Sequence, residues 1–377
     1  MKSEKTEITY VFGFGRSKLI SSDEIFADEF FYGYFKFLND EQNINYIEFQ
    51  DNSENPNSRR IISFVSKVLR KISKLSFFIE NICNFNNFKI LLKTKHIIAT
   101  NDRIGISLLP FLIIYKLFKI NKTSVIVMGL LAKRTTNLIS HVFQRILLNI
   151  FFSLGTNFIF LSKNECKQAE VSYKKYKDKF HFVPFCIDTS YWKREESKKI
   201  EKAKILFIGN DGRREYNLVL QIAKAMPQYE FLLITSNIEA SSVDSGNIKL
   251  IKGSWNKRVL SDQELKDFYQ QGLLSIIPIK DTYQPSGQSV ALQSMAMGVP
   301  VMISKTIGFW DSEMFKNNEN IFFVDNNNLN SWTNLIEKTL TETILTNIVS
   351  TNGNKTIVEH YDSDYFYKSL KEILLSS

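Results

Sequence analysis

The sequence predicts an α/β protein of two Rossmann-like parallel-sheet domains, and three observations carry that prediction. Short apolar β-rich runs alternate with helical patterns along most of the chain, the signature of parallel sheets. A charged polar passage, SYWKREESKKIEKAK at residues 190 to 204, interrupts the alternation and suits a linker. The length of 377 residues allows two to three domains at about 150 residues each.

Taken in order, ITYVFGFG (8–15) reads as a first strand. SSDEIFADEFFYGYFKFLN (21–39) follows with caps, early acids and helical spacing, so one helix is expected there. INYIEF, HIIAT, TSVIVMG and NFIFLS continue the strand series, and the first domain, 1–188, closes just after HFVPF. The second domain, 189–355, offers KILFIGN, EFLLITS, NIKLIKG, GLLSIIPI, VPVMIS and NIFFVD as strands, interleaved with helical segments such as LVLQIAKAMPQ and DQELKDFYQQ. Residues 356–377, ending DSDYFYKSLKEILLSS, form a capped terminal helix expected to pack back on the first domain. The apolar runs 104–120 and 142–162 are interrupted by Pro110 and Lys116, and by Arg145, Asn149, Gly155 and Asn157; both are read as buried helix or helix plus strand rather than membrane spans.

Composition excludes several classes. With 44% hydrophobic and 23% charged residues the chain is globular rather than disordered. Cys83, Cys166 and Cys186 lie far apart and the four histidines do not cluster, which argues against a disulfide framework and a structural zinc. The opening MKSEKTEITYVFGFG has no apolar h-region, so a cytoplasmic location is expected. The net charge of +9 is uneven: residues 1 to 200 hold 31 Lys and Arg against 19 Asp and Glu, the remainder 17 against 20. Nucleic-acid binding is the rival explanation of that charge, although no RNA-binding, zinc-knuckle or helix-turn-helix signature accompanies it.

The chemistry concentrates in DTYQPSGQSVALQSMAMGVPVMIS, residues 281 to 304. Lys280 to Pro285 follow a buried strand and fall at the carboxyl edge of the sheet, where α/β proteins bind ligands. Ser286 is placed to cap the next helix. Gly287 lets an anion approach the backbone, and the amides of Gly287, Gln288 and Ser289 open the helix where its dipole is positive. A plain capped helix would show the same pattern. KILFIGNDGRREY, however, brings Arg213 and Arg214 to another strand end, and guanidinium forks match phosphate oxygens. If the sheet is doubly wound, that turn and the helix start converge on one crevice.

These motifs resemble the donor domain of GT-B glycosyltransferases, especially the retaining family-4-like (group 1) enzymes. GNDGRREY is similar to their first donor-domain loop, the Ser-Gly helix with LQSMAMG and VPVMIS to their nucleotide-sugar segment, and NFIFLSKNECKQ with KFHFVPFCIDTSYW to their crossing between domains. The resemblance runs from about 155 to 310. It implies a GT-B architecture, two Rossmann-like domains facing across a cleft, and a hexosyltransferase using a nucleotide-diphosphate sugar without a bound metal or other cofactor. The family usually places two glutamates eight positions apart; the resemblance implies ribose contact at Gln293 and, since eight back is Pro285, sugar contact at the adjacent Gln284 with one extra residue in the loop. An amide supports positive charge on a sugar ring less well than a carboxylate, so a nucleotide-sugar-binding protein with impaired catalysis is the alternative.

Other candidates are local. Trp255, after NIKLIKG, either flanks a nucleobase or packs on its loop. Gly13 and Gly15 give the first strand a flexible loop on the acceptor side. Asp102, at the end of HIIAT, either contacts the acceptor as a base or caps the next helix. Asp362 and Asp364, the one Asp-x-Asp, read as a helix cap, so no metal site is expected. Residues 59 to 79 place Ile61, Val65, Val68, Ile72, Leu75 and Ile79 on one stripe with six Lys and Arg mostly opposite: either a core helix with a solvated face or a helix resting on an anionic membrane. The regional charge together with the resemblance, whose enzymes often work at membranes on lipid-linked acceptors, favours the membrane; the resemblance implies a peripheral place on the inner face and a saccharide or lipid-linked saccharide acceptor.

Overall fold

A computed structural model describes residues 7–40, 42–49, 60–118, 121–133, 135, 137–195, 204–253 and 259–376. Trp255, Arg59 and most of the linker passage lie outside them. The described residues form two compact units. Unit 1 draws on Met1–Glu24, Phe30–Pro184 and Phe366–Ser377; unit 2 draws on Ile25–Glu29 and Phe185–Tyr365.

Unit 1 runs β1 (Ile8–Phe12), α1 (Arg16–Ile20), α2 (Tyr34–Asn39), β2 (Ile44–Glu48), α3 (Arg60–Ser73) and α4 (Phe85–Leu92). It continues with β3 (His96–Ala99), α5 (Asp102–Ser107), α6 (Leu109–Phe118), β4 (Lys122–Val127), α7 (Leu138–Leu154), β5 (Asn157–Phe160), α8 (Lys163–Ser172) and β6 (Phe180–Phe182). The strands make one parallel sheet in the order β2-β1-β3-β4-β5-β6. Its central strands are apolar on both faces, as a sheet covered on both sides requires: Val11, Ile97 and Val125 are buried on one face and Tyr10, Ile98 and Ile126 on the other.

Unit 2 begins with β7 (Lys204–Ile208), α9 (Tyr216–Ala225), β8 (Glu230–Ile234), β9 (Ile248–Ile251), α10 (Asp262–Gln270) and β10 (Gly272–Ile277). Then come α11 (Gln288–Ala296), β11 (Val301–Ser304), β12 (Phe322–Val324), α12 (Leu329–Thr341), α13 (Thr343–His360) and α14 (Ser363–Ser376), whose later part belongs to unit 1. The parallel sheet has the order β12-β11-β10-β7-β8-β9. Phe207, Val219, Leu233, Ile276, Met302 and Trp332 fill its core.

Each sheet therefore reverses direction once, between β1 and β3 in unit 1 and between β7 and β10 in unit 2. Ligands of doubly wound sheets bind beside such reversals, beyond the carboxyl ends of the strands. The turns following β7 and β10 are those carrying Arg213–Arg214 and Lys280–Gly287.

Two expectations are corrected and one alternative is decided. Residues 21–39 are not one helix: Tyr32 and Gly33 adopt left-handed backbone (φ 51° and 82°), leaving a single 3₁₀ turn before the short α2. The runs 104–120 and 142–162 are helical where expected, but α6 and α7 are not fully buried, since Leu117 and Ile146 lie exposed. In α3, of the two orientations the sequence left open, the apolar stripe faces outward: Ile61, Val65 and Val68 are exposed while Ser66 and Ser73 are buried.

Candidate functional site

The turn after β7 is built by Asp211. Its Oδ1 accepts the Arg213 amide at 2.8 Å and its Oδ2 accepts Arg214 Nε at 3.0 Å, so one carboxylate fixes both the backbone turn and the guanidinium. The Tyr216 hydroxyl donates to the Asp211 carbonyl at 2.6 Å. Asn210 ties the turn to its neighbour after β8, its Oδ1 accepting the Ser236 amide at 2.6 Å.

This turn is bonded directly to the segment leaving β10. The Lys280 amide donates to the Arg213 carbonyl at 2.8 Å and the Glu215 amide to the Pro278 carbonyl at 3.0 Å, with Arg214 and Ile279 paired as an antiparallel bridge. Ile279 is held in turn by Ser304 Oγ, 2.8 Å from its amide, and Ser304 donates to Asn327 at 2.6 Å. The ends of β7, β10 and β11 are thus one connected floor.

Arg214 lies within that floor, 3% exposed. A guanidinium keeps its charge even when buried, which makes its partners decisive. Nε is paired with Asp211, whereas Nη1 is buried with no acceptor among the described residues. It lies against the start of α11: a Cβ built on Gly287 would stand 3.0 Å from Nη1 and 2.8 Å from Ile277 Cγ2. Gly287 also has φ 82°, so both backbone conformation and close packing require glycine there. Gly287, not Ser286, is the N-cap of α11, so the expected serine cap is absent and no side chain caps the helix; the Ser286 amide donates to the Gln284 carbonyl at 2.8 Å. The amides of Ser289 and Val290, which follow Gln288 in the first turn, consequently have no acceptor within the helix. The convergence expected of the 213–214 turn and the 287 helix start is the geometry observed.

The remaining candidates fall variously. Gln288 is buried, Ser289 and Gln284 are half-buried, and Lys280 and Arg213 are exposed at the rim. Loop 281–285 is fixed by Gly308, whose amide donates to the Thr282 carbonyl at 2.9 Å and where any Cβ would strike the Tyr283 backbone.

Gln293 is turned inward. Its Nε2 donates to Glu29 Oε1 at 2.9 Å and its Oε1 accepts the Tyr269 hydroxyl at 3.0 Å. Trp192 Nε1 donates to the same Glu29 oxygen at 2.9 Å, and the Asp188 amide to the other at 3.4 Å. Burial pushes the Glu29 carboxyl up to about 8, and the Gln293 and Trp192 donors limit that rise. Glu29 and Asp211 escaped the sequence reading. Asp211 carried a signal, an acid three residues before an arginine in a strand-end turn; Glu29, 264 residues from Gln293, carried none.

In unit 1, Gly13 and Gly15 lie at the β1 end and Asp102 at the β3 end, the pair of turns flanking that sheet's reversal. Gly13 faces Asn101, whose Nδ2 would be 3.8 Å from a Cβ at 13. Asn101, not Asp102, caps α5 by accepting the Ile104 amide at 2.9 Å. Asp102 is the first helical residue and pairs with Lys133 Nζ at 2.7 Å. Glu165, missed in the sequence, accepts the Gly129 and Leu131 amides at 2.7 and 2.9 Å, and burial raises it to about 7. No group of three or more His, Cys, Asp or Glu among the described residues is placed to hold a metal.

No protein-family model matches the chain, and no curated protein sequence matches it significantly. Solved structures do. HepE of Anabaena, in complex with UDP and glucose, is 13% identical with TM-score 0.65, covering 99% of this chain and 100% of that one. Sucrose-phosphate synthase of Thermosynechococcus elongatus is 12% identical with TM-score 0.68, covering 98% of each chain. A glycosyltransferase of Rickettsia africae is 13% identical with TM-score 0.61, covering 99% of this chain and 100% of that one. The fold is the GT-B fold that the motifs implied.

Proposed function

We propose that this protein is a glycosyltransferase that moves a hexose-type sugar from a nucleoside diphosphate sugar to a saccharide or lipid-linked saccharide, with retention and without a metal, in the synthesis of a cell-surface polysaccharide or glycoconjugate. The observation that carries the proposal is the buried Arg214, with Nη1 lacking an acceptor among the described residues, against the uncapped start of α11. Such a pair is built for a doubly charged oxyanion group. Arg214 supplies fixed charge, the Ser289 and Val290 amides supply directed donors, and Arg213 and Lys280 supply mobile charge at the rim. Positive groups organised beforehand stabilise a departing diphosphate more strongly than water does, which is the electrostatic demand of sugar transfer. HepE, of similar fold, was solved with UDP and glucose, which supports a nucleotide-sugar donor.

Within this reading Gln284 lies at the loop nearest the sugar, and Gln293 with Glu29 and Tyr269 shapes the wall behind α11 rather than holding the ribose directly. Gly13, Gly15 and Asp102 are assigned to the acceptor side, where Asp102 pairs with Lys133. A panel of UDP, GDP, ADP and CMP sugars, scored for binding and turnover, tests the proposal. Turnover with one donor is expected. Binding without turnover would favour a nucleotide-sugar-binding protein, and salt-sensitive polynucleotide affinity with indifference to every donor would favour the nucleic-acid reading.

A further inference from the structure

We infer that the outer layer of unit 1 formed by α3, α7 and α6 is a docking face for an anionic lipid bilayer, on which the protein lies without crossing it. The first observation is a second apolar face on α3. Its inward side packs Ile62 and Leu69 on the core beside two bonded serines: Ser66 Oγ accepts the Ile79 amide at 3.2 Å, and Ser73 Oγ accepts the Leu75 amide at 3.2 Å. Its other apolar side is outward, with Phe64 67% and Val68 38% exposed. A helix serving only the core of unit 1 would carry polar residues, not a second apolar stripe, on its outer side.

The second observation is that α7 repeats the arrangement next to it. The two helices pack together, locked by Gln144 Nε2 donating to the Ser73 carbonyl at 2.9 Å. Val142 and Ile146, one turn apart on α7, are 48% and 51% exposed. On its other flank α7 packs against α6, where Leu117 and Phe118 are 75% and 69% exposed. Three neighbouring helices thus present apolar side chains to solvent, an extent that marks an interaction surface rather than scattered exposure.

Charge selects the occupant. None of the three helices contains an Asp or Glu, and the sequence has no acid between Asp102 and Glu165. Exposed Lys67, Lys71, Arg145 and Lys116 lie among the apolar residues. A second copy docking through the same face would oppose like charges, whereas anionic headgroups complement them while the apolar side chains enter the headgroup boundary. Spanning is not the mode, because no described helix is long and apolar enough to cross a membrane. The inference is independent of the sugar-transfer proposal.

Flotation of the full chain with phosphatidylcholine vesicles, with and without phosphatidylglycerol, tests it. The protein should float with the anionic vesicles at low salt and stay behind with phosphatidylcholine alone. The double substitution Val142→Ser with Ile146→Ser, which changes no charge, should weaken binding roughly tenfold, and a melting curve checks that it folds. Ile344→Ser with Ile348→Ser, on exposed positions of α13, should leave flotation unchanged. The inference is overturned if the wild type remains soluble with anionic vesicles, if the α7 variant floats as well as the wild type, or if light scattering shows a dimer that this variant converts to monomer.

Discussion

A guanidinium at 3% exposure whose Nη1 meets no acceptor among the described residues is costly unless something anionic joins it, and Asp211 answers only its Nε side. Gly287 is the matching requirement on the helix. Gly287→Ala adds a methyl to a φ of 82° and drives it against Ile277 and Arg214, so it should destabilise unit 2 by about 1–3 kcal/mol and weaken nucleotide binding together, read by urea denaturation and titration. Glu29 makes a second test at this scale. Its carboxyl rises from 4.5 unfolded to about 8 folded, so the folded chain retains a proton that the unfolded chain releases. Its stabilising contribution is complete below the unfolded value and is lost as pH rises through the folded one. The denaturation midpoint should therefore fall between about pH 5 and about pH 8. Glu29→Gln should flatten that fall, leaving the smaller slope of Glu165, which has the same sign.

Helix ends decide which polar residues are structural. Asn101 caps α5 and Asp102 pairs with Lys133, so Asn101→Ala should cost about 1 kcal/mol in a denaturant titration, while Asp102→Asn should cost less as a helix change and more as a loss of the ion pair. The strands were legible because each is a short apolar run bounded by turn residues, and every run taken as a strand from ITYVF to NIFFV is one. Helices were legible only in part. Residues 21–39 have helical spacing, but the left-handed Tyr32–Gly33 pair splits them, and no periodicity encodes that break. Periodicity also shows that α3 has two unlike faces without showing which is wet; that required the serines, Ser66 and Ser73, to be seen inside.

Across the whole molecule, two parallel sheets each reverse once, and the candidate residues gather at those reversals because chain order places the turns after β7 and β10, and after β1 and β3, side by side. The sequence could reveal that convergence, since it follows from strand order. It could not reveal the Glu29–Gln293 contact, which joins residues 264 apart and draws Ile25–Glu29 into unit 2. Ligand linkage offers a prediction at this scale: UDP at a hundred times its Kd should stabilise unit 2 by about 2.7 kcal/mol. Hydrogen exchange should show the added protection in the turns after β7 and β10 and in the first turn of α11, and uniform protection would argue against a local site. The most direct measurement of the central claim is calorimetric titration of UDP into the wild type and Arg214→Gln, both verified as folded. The account predicts saturable binding by the wild type and a loss of roughly tenfold or more in the variant; equal affinity in the two proteins would contradict it.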